Sequence, residues 1–99
     1  MKQIHYLSAD GTSRIETADA APDYSTCARF LNGGRESVWV LFKGKRTCMF
    51  VNENGIALKL PVNAAATEIY HAWPRMKGMN VQGRYIHGNA IVLEGIEIE

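Results

Sequence analysis

The chain has 99 residues, 46% of them hydrophobic and 21% charged, with 11 basic and 10 acidic side chains for a formal net charge of +1. That length holds one domain and one core but not two, and the apolar fraction excludes disorder as the default state. The near-neutral, interspersed charge writes no wholesale attraction to nucleic acid or an anionic membrane into the composition, and leaves only a local patch to look for.

No apolar run reaches the length of a membrane span. The opening MKQIHYLSADG alternates like a strand and lacks the apolar region and cleavage site of a secretory signal. Cys27 and Cys48 fall on an apolar helix face and an apolar strand and form no Cys-x-x-Cys pair. The expectation is a reduced, cytoplasmic protein with two buried thiols rather than a disulfide.

In chain order, residues 2–8 and 12–17 flank the turn signal Ala9-Asp10-Gly11 and predict an opening hairpin. Ile4 and Tyr6 share one face of its first strand. The second strand offers only Ile15, the pattern of an edge. Asp23 is placed to cap a short helix over residues 23–32, with Tyr24, Cys27, Ala28 and Leu31 at i, i+3, i+4 and i+7. Asn32-Gly33-Gly34 ends it through a left-handed cap.

Residues 38–42 and 47–51 are apolar on both strand faces and join through Gly44-Lys45, which predicts the central strand pair of the sheet. Asn52 to Gly55 reads as a turn and residues 56–60 as a short strand ended by Pro61. Asn63 caps a second helix whose stripe is Ala66, Ile69, Tyr70 and Trp73, with Trp73 anchoring it and Pro74 closing it. Val81 with residues 84–86, and then residues 90–93, predict a final hairpin around Gly88-Asn89, which the tail 94–99 extends.

The expected architecture is therefore a single α+β domain over residues 1–99. It has a mostly antiparallel sheet of about five to seven strands and two short helices, in the order ββαβββαββ.

Two chemistries are suggested by short motifs and fail on spacing, and others leave no motif at all. Gly44-Lys45-Arg46-Thr47 lacks the upstream glycine of a phosphate loop, has Arg46 where Ser or Thr is required, and joins two strands. Glu68 and His71 have the spacing of half a di-iron site, but two short helices cannot supply the other ligands, so His71 reads as part of a solvated helix face. No His/Cys spacing matches a zinc site, and no nucleophile motif appears.

Two surface features remain. Lys43, Lys45 and Arg46 cluster at one turn, and Arg75, Lys77 and Arg84 near another, with Trp39, Phe42, Trp73 and Tyr85 interleaved. Such a mixture forms a basic, anion-binding surface or a weak nucleic-acid platform if the turns come together. Residues 32–35 and the helix start at Asn63 also offer backbone N–H groups to a phosphate, although ordinary capping explains both.

The chain resembles a known family around Lys43-Gly44-Lys45-Arg46-Thr47, Met49-Phe50-Val51-Asn52-Glu53, Gly55, and the run Leu60-Pro61-Val62-Asn63-Ala64-Ala65-Ala66-Thr67-Glu68-Ile69-Tyr70. The family consists of small proteins encoded mainly by bacteriophages, prophages and plasmids, catalogued as a domain of unknown function. The likeness covers the middle third well, and the opening hairpin and Gly83 to Gly88 more loosely. Cys48 and Asn52 stand where the family often has an acid.

What the resemblance implies is a setting, the cytoplasm of an infected or plasmid-bearing bacterium, without catalytic residues or a reaction. The expected function is a small non-catalytic accessory protein of a phage or mobile element that binds a host or defence component, with no cofactor. The alternatives are a sponge for a nucleotide or other anionic small molecule, and a weak nucleic-acid binder. Pairing of edge strands such as 12–17, or of the acidic tail, would make a homodimer.

Overall fold

Alternation of apolar residues decides how this sheet is covered. The computed structural model describes residues 2–98. Its strands are β1 (Gln3–Leu7), β2 (Ser13–Thr17), β3 (Arg35–Phe42), β4 (Lys45–Asn52) and β5 (Ala90–Glu94), and its helices α1 (Tyr24–Leu31) and α2 (Ala64–Met76). The strands form one sheet in the order β2-β1-β5-β4-β3, every neighbouring pair antiparallel.

Ile4, Tyr6, Cys48, Phe50, Ile91 and Leu93 point to one face and pack under Cys27 and Leu31 of α1. Val40, Met49, Val51, Ala90 and Val92 point to the other and pack with Ala66 of α2 and Ile86. The result is a three-layer α+β domain with one helix on each face. Each large apolar side chain so buried contributes about 1.5–3 kcal/mol.

The order is ββαββαβ: five strands fall within the expected five to seven, but two strands of the expected order and one strand extension do not form. Residues 56–60 are not a strand: Leu58 N–H donates to the Asn54 carbonyl and Leu60 N–H to that of Gly55, so the segment coils upon itself. No final hairpin forms at Gly88-Asn89. Only one isolated bridge, Val62 with His87, occurs there, and β5 pairs instead with β1 and β4. The tail does not prolong β5, because Gly95 turns at φ 72° and sends Ile96 under the α1-side core. Glu99 lies outside the described residues.

The centre of the sheet also differs from expectation. β5, buried from Ala90 to Leu93, is the middle strand, whereas β3 is an edge. The apolar run of β3 arises because Val38, Val40 and Phe42 face α2, while Trp39 on the opposite face stays 52% exposed. β2 is the other edge, as its pattern predicts.

Both helix starts follow the expected chemistry. Asp23 accepts the Thr26 N–H at 2.7 Å, and Asn63 accepts that of Ala66 at 3.0 Å. The ends and faces differ. Asn32 itself takes the left-handed cap of α1 at φ 63°, and Tyr24 lies 60% exposed, outside the buried stripe of Cys27 and Leu31.

Pro74 does not close α2 at Trp73 but sits buried inside its last turn, which runs to Met76. The face of α2 is rotated by about one residue from the apolar reading: Ala66, Thr67, His71 and Pro74 are buried, and Trp73 is 46% exposed. Backbone partners cause the rotation. Thr67 Oγ1 accepts the Ile86 N–H at 2.9 Å and the His71 Nε2 meets the Arg84 carbonyl, so two polar residues face inward and Trp73 swings out. Trp73 therefore does not anchor the helix, and His71 does not lie on a solvated face.

Candidate functional site

The outer edge of β3 is where backbone, aromatic rings and positive charge meet. Antiparallel pairs alternate between exchanging both hydrogen bonds and exchanging none. Beyond the end of the β3–β4 ladder, Glu53 N–H donates to the Gly34 carbonyl at 3.0 Å, which sets the phase. Glu36, Val38, Val40 and Phe42 therefore bond to β4, and Ser37, Trp39 and Leu41 direct their N–H and C=O groups outward. Among the described strands none pairs with that edge.

A groove of about 500 Å³ runs over it, lined by Trp39, Leu41 and Arg46 from the hairpin and by Tyr70, Trp73, Met76, Met79 and Arg84 from α2 and the segment beyond. Trp39 stands opposite Cys48, whose side chain belongs to the α1-side core, while Tyr70 packs on the α2 side. The groove thus wraps the sheet edge rather than lying on one face. The Arg46 guanidinium stacks 4.0 Å from the centre of the Trp39 ring, and the Lys77 ammonium lies 5.7 Å from that of Trp73. Each such stack adds about 0.5–1 kcal/mol at an exposed site.

The six candidate cations do not form one surface. Arg46 and Arg84 line the groove and Lys77 flanks it. Lys43 lies 3.2 Å from Glu94, and Arg75 lies 3.0 Å from Glu68, so both are paired elsewhere. Lys45 begins β4 beside a two-residue turn in which Lys43 and Gly44 have φ of 52° and 78°, a hairpin turn and not a phosphate loop. Tyr70, Met76 and Met79 were not legible as site residues, because only the packing of α2 against β3 brings them to Trp39.

A neighbouring hollow of about 610 Å³ shares Tyr70 and Arg84 with the groove and adds Glu36, Glu53, Tyr85 and His87. Its carboxylates outnumber its guanidinium, so it does not attract anions. The two backbone cradles are filled by the chain's own groups. Asn63 is buried with its Oδ1 accepting the Ala66 N–H, and the Glu53 side chain lies against Gly34.

Other reactive groups are held in structural roles. Both cysteines are free and buried, and burial pushes the Cys48 thiol above its ordinary value, which disfavours the nucleophilic thiolate. His5 Nε2 lies 2.7 Å from Glu94 Oε1. That hydrogen bond above all holds the Glu94 carboxyl below its ordinary value of 4.5; desolvation opposes it, and Lys43 adds to the lowering. Among the described residues no three metal-ligating groups converge, and no helix is long and apolar enough to cross a membrane.

Fold and groove together define a small α+β domain with a cationic, aromatic cleft on an open sheet edge. Comparison with protein-family models, with curated proteins and with solved structures finds no match to the chain.

Proposed function

We propose that this protein is a small non-catalytic binding protein of a phage or other mobile element, docking a host or defence protein in the groove beside β3. One observation carries the reading: Trp39, Tyr70, Trp73, Met76 and Met79 come together with Arg46 and Arg84 at a solvent-facing cleft. Aromatic, methionine and arginine side chains are those enriched where proteins bind proteins, since they offer large contact area and directional donors. The mobile-element setting rests on the resemblance of residues 43–70.

Native mass spectrometry of protein purified gently from a bacterial host tests this, with the Trp39→Ala/Trp73→Ala variant as comparison. A stoichiometric protein adduct that the double variant loses is the expected result. An adduct of small-molecule mass favours the sponge reading instead, and a protein adduct that survives the double substitution removes the groove from the interaction.

A further inference from the structure

We propose that the outer edge of β3 is a strand-addition site for an extended, acidic segment of the partner protein. The inference rests on the binding-protein reading and specifies its chemistry. The edge is eight residues long, and Ser37, Trp39 and Leu41 aim consecutive sets of backbone donors and acceptors away from the sheet. Edge strands of stable proteins are usually kept short or blunted by charge, proline or a bulge. β2 follows that rule, with five residues carrying Arg14 and Glu16. From Val38 to Phe42, β3 carries neither proline nor charge.

An added strand has alternate side chains on opposite faces. On this edge one set meets Trp73 and Met76 on the α2 side, and the other meets Trp39 with Arg46 stacked on it. The backbone supplies affinity and these two walls supply selectivity, as in other cases of strand addition. Charge assigns the occupant. The groove lining has two guanidiniums and no carboxylate, whereas the hollow at the Glu36 end, which shares Arg84 but not Arg46, adds Glu36 and Glu53. An antiparallel strand therefore has its acidic residues in the half alongside Trp39 to Phe42, its N-terminal half.

Two other occupants fit less well. A second copy of this chain, added antiparallel, brings the N-terminal half of its β3 alongside Arg46, where Arg35 next to Glu36 leaves no net negative charge. Nucleic acid stacks bases on open ring faces, but Arg46 already covers one face of Trp39, and a phosphodiester backbone cannot match alternating N–H and C=O groups.

The test is selection on the full chain from a pool of random peptides as long as β3, with affinities read by fluorescence anisotropy. Peptides alternating apolar with other residues and acidic toward their N-termini are expected to be enriched. A selected peptide is expected to lose affinity about tenfold against Arg46→Glu, since a reversed charge beside a desolvated strand weakens the encounter and the complex alike. N-methylation at alternate residues is expected to abolish binding in one phase and spare it in the other.

Enrichment of basic or uncharged peptides, no enrichment, or indifference to N-methylation in both phases overturns the inference. So does a dimer of the protein alone in sedimentation that Arg46→Glu alters, or oligothymidine binding that Arg46→Glu abolishes. If selection fails while the native-host adduct still depends on Trp39 and Trp73, the groove docks a folded surface. Strand addition then falls and the binding-protein reading stands.

Discussion

The side-chain amide of Asn63 donates to the carbonyl of Gly88 at 3.0 Å, tying the start of α2 to the chain just ahead of the central strand. The same nitrogen donates to the Leu7 carbonyl at 3.0 Å, and Oδ1 accepts the Ala66 N–H. One buried side chain thus joins β1, α2 and the approach to β5.

Replacing Asn63 by alanine removes a helix cap, about 1 kcal/mol, and leaves two carbonyls short of a donor, for a total of about 3 kcal/mol. Asn63→Asp separates the two roles. It keeps the cap acceptor but turns a carboxylate toward both carbonyls, so at neutral pH it is expected to destabilise at least as much as alanine. Urea unfolding reads both. An aspartate variant as stable as the wild type would leave capping as the residue's only role.

Glu94 gives stability a defined pH window. Its folded value is depressed, chiefly by the hydrogen bond with His5, so between that value and the ordinary 4.5 the unfolded chain binds more protons than the folded one. The contribution is present above 4.5 and is lost as pH falls through the folded value. Thermal melts of the wild type and Glu94→Gln should differ most above 4.5 and converge in acid. Parallel melting curves down to strongly acidic pH would remove the assignment.

Phe50 and Trp73 exchange the importance that ring size suggests. Phe50 is 1% exposed, with the Arg35 guanidinium 4.4 Å from its ring, and Phe50→Ala is expected to cost about 3–5 kcal/mol. Trp73, 46% exposed on the groove, is expected to cost about 1 kcal/mol or less when truncated. Chemical denaturation of the two variants side by side decides. Equal losses would put Trp73 back in the core.

Gly55 is required by proximity. A Cβ there would stand 2.5 Å from the His87 carbonyl oxygen, which is backbone and cannot rotate away. Gly55→Ala is expected to cost about 1–3 kcal/mol. In a domain of this size that lowers the melting temperature by about 4–8 °C for each kcal/mol. An unchanged melting temperature would mean that the 53–59 turn yields without loss.

Several features were legible because neighbours in sequence decide them. Asp23 and Asn63 announce helix starts, Ala9-Asp10-Gly11 announces a hairpin, and a lone Ile15 announces an edge. Other features were illegible for equally local reasons. Residues 56–60 and 81–86 look like strands, but their hydrogen bonds go to their own turn or to Thr67, Asn63 and His71. Nothing in either stretch names those partners. Of the six basic residues, only the pairing of Lys43 with Glu94 and Arg75 with Glu68 shows which are engaged elsewhere.

By itself the sequence determined an α+β domain with two capped helices, an opening hairpin, two buried thiols and a tight turn read at Gly44-Lys45, which the structure sets one residue earlier at Lys43-Gly44. All of these depend on contacts within a few residues of chain or on the composition of one stretch. Only the tertiary structure decided that β5 is central and β3 an edge, that α2 turns Trp73 outward, and that Trp39, Trp73, Arg46 and Arg84 share one groove. Those outcomes rest on pairings between distant segments. An apolar run reads the same whether it ends up between two strands or beside open solvent.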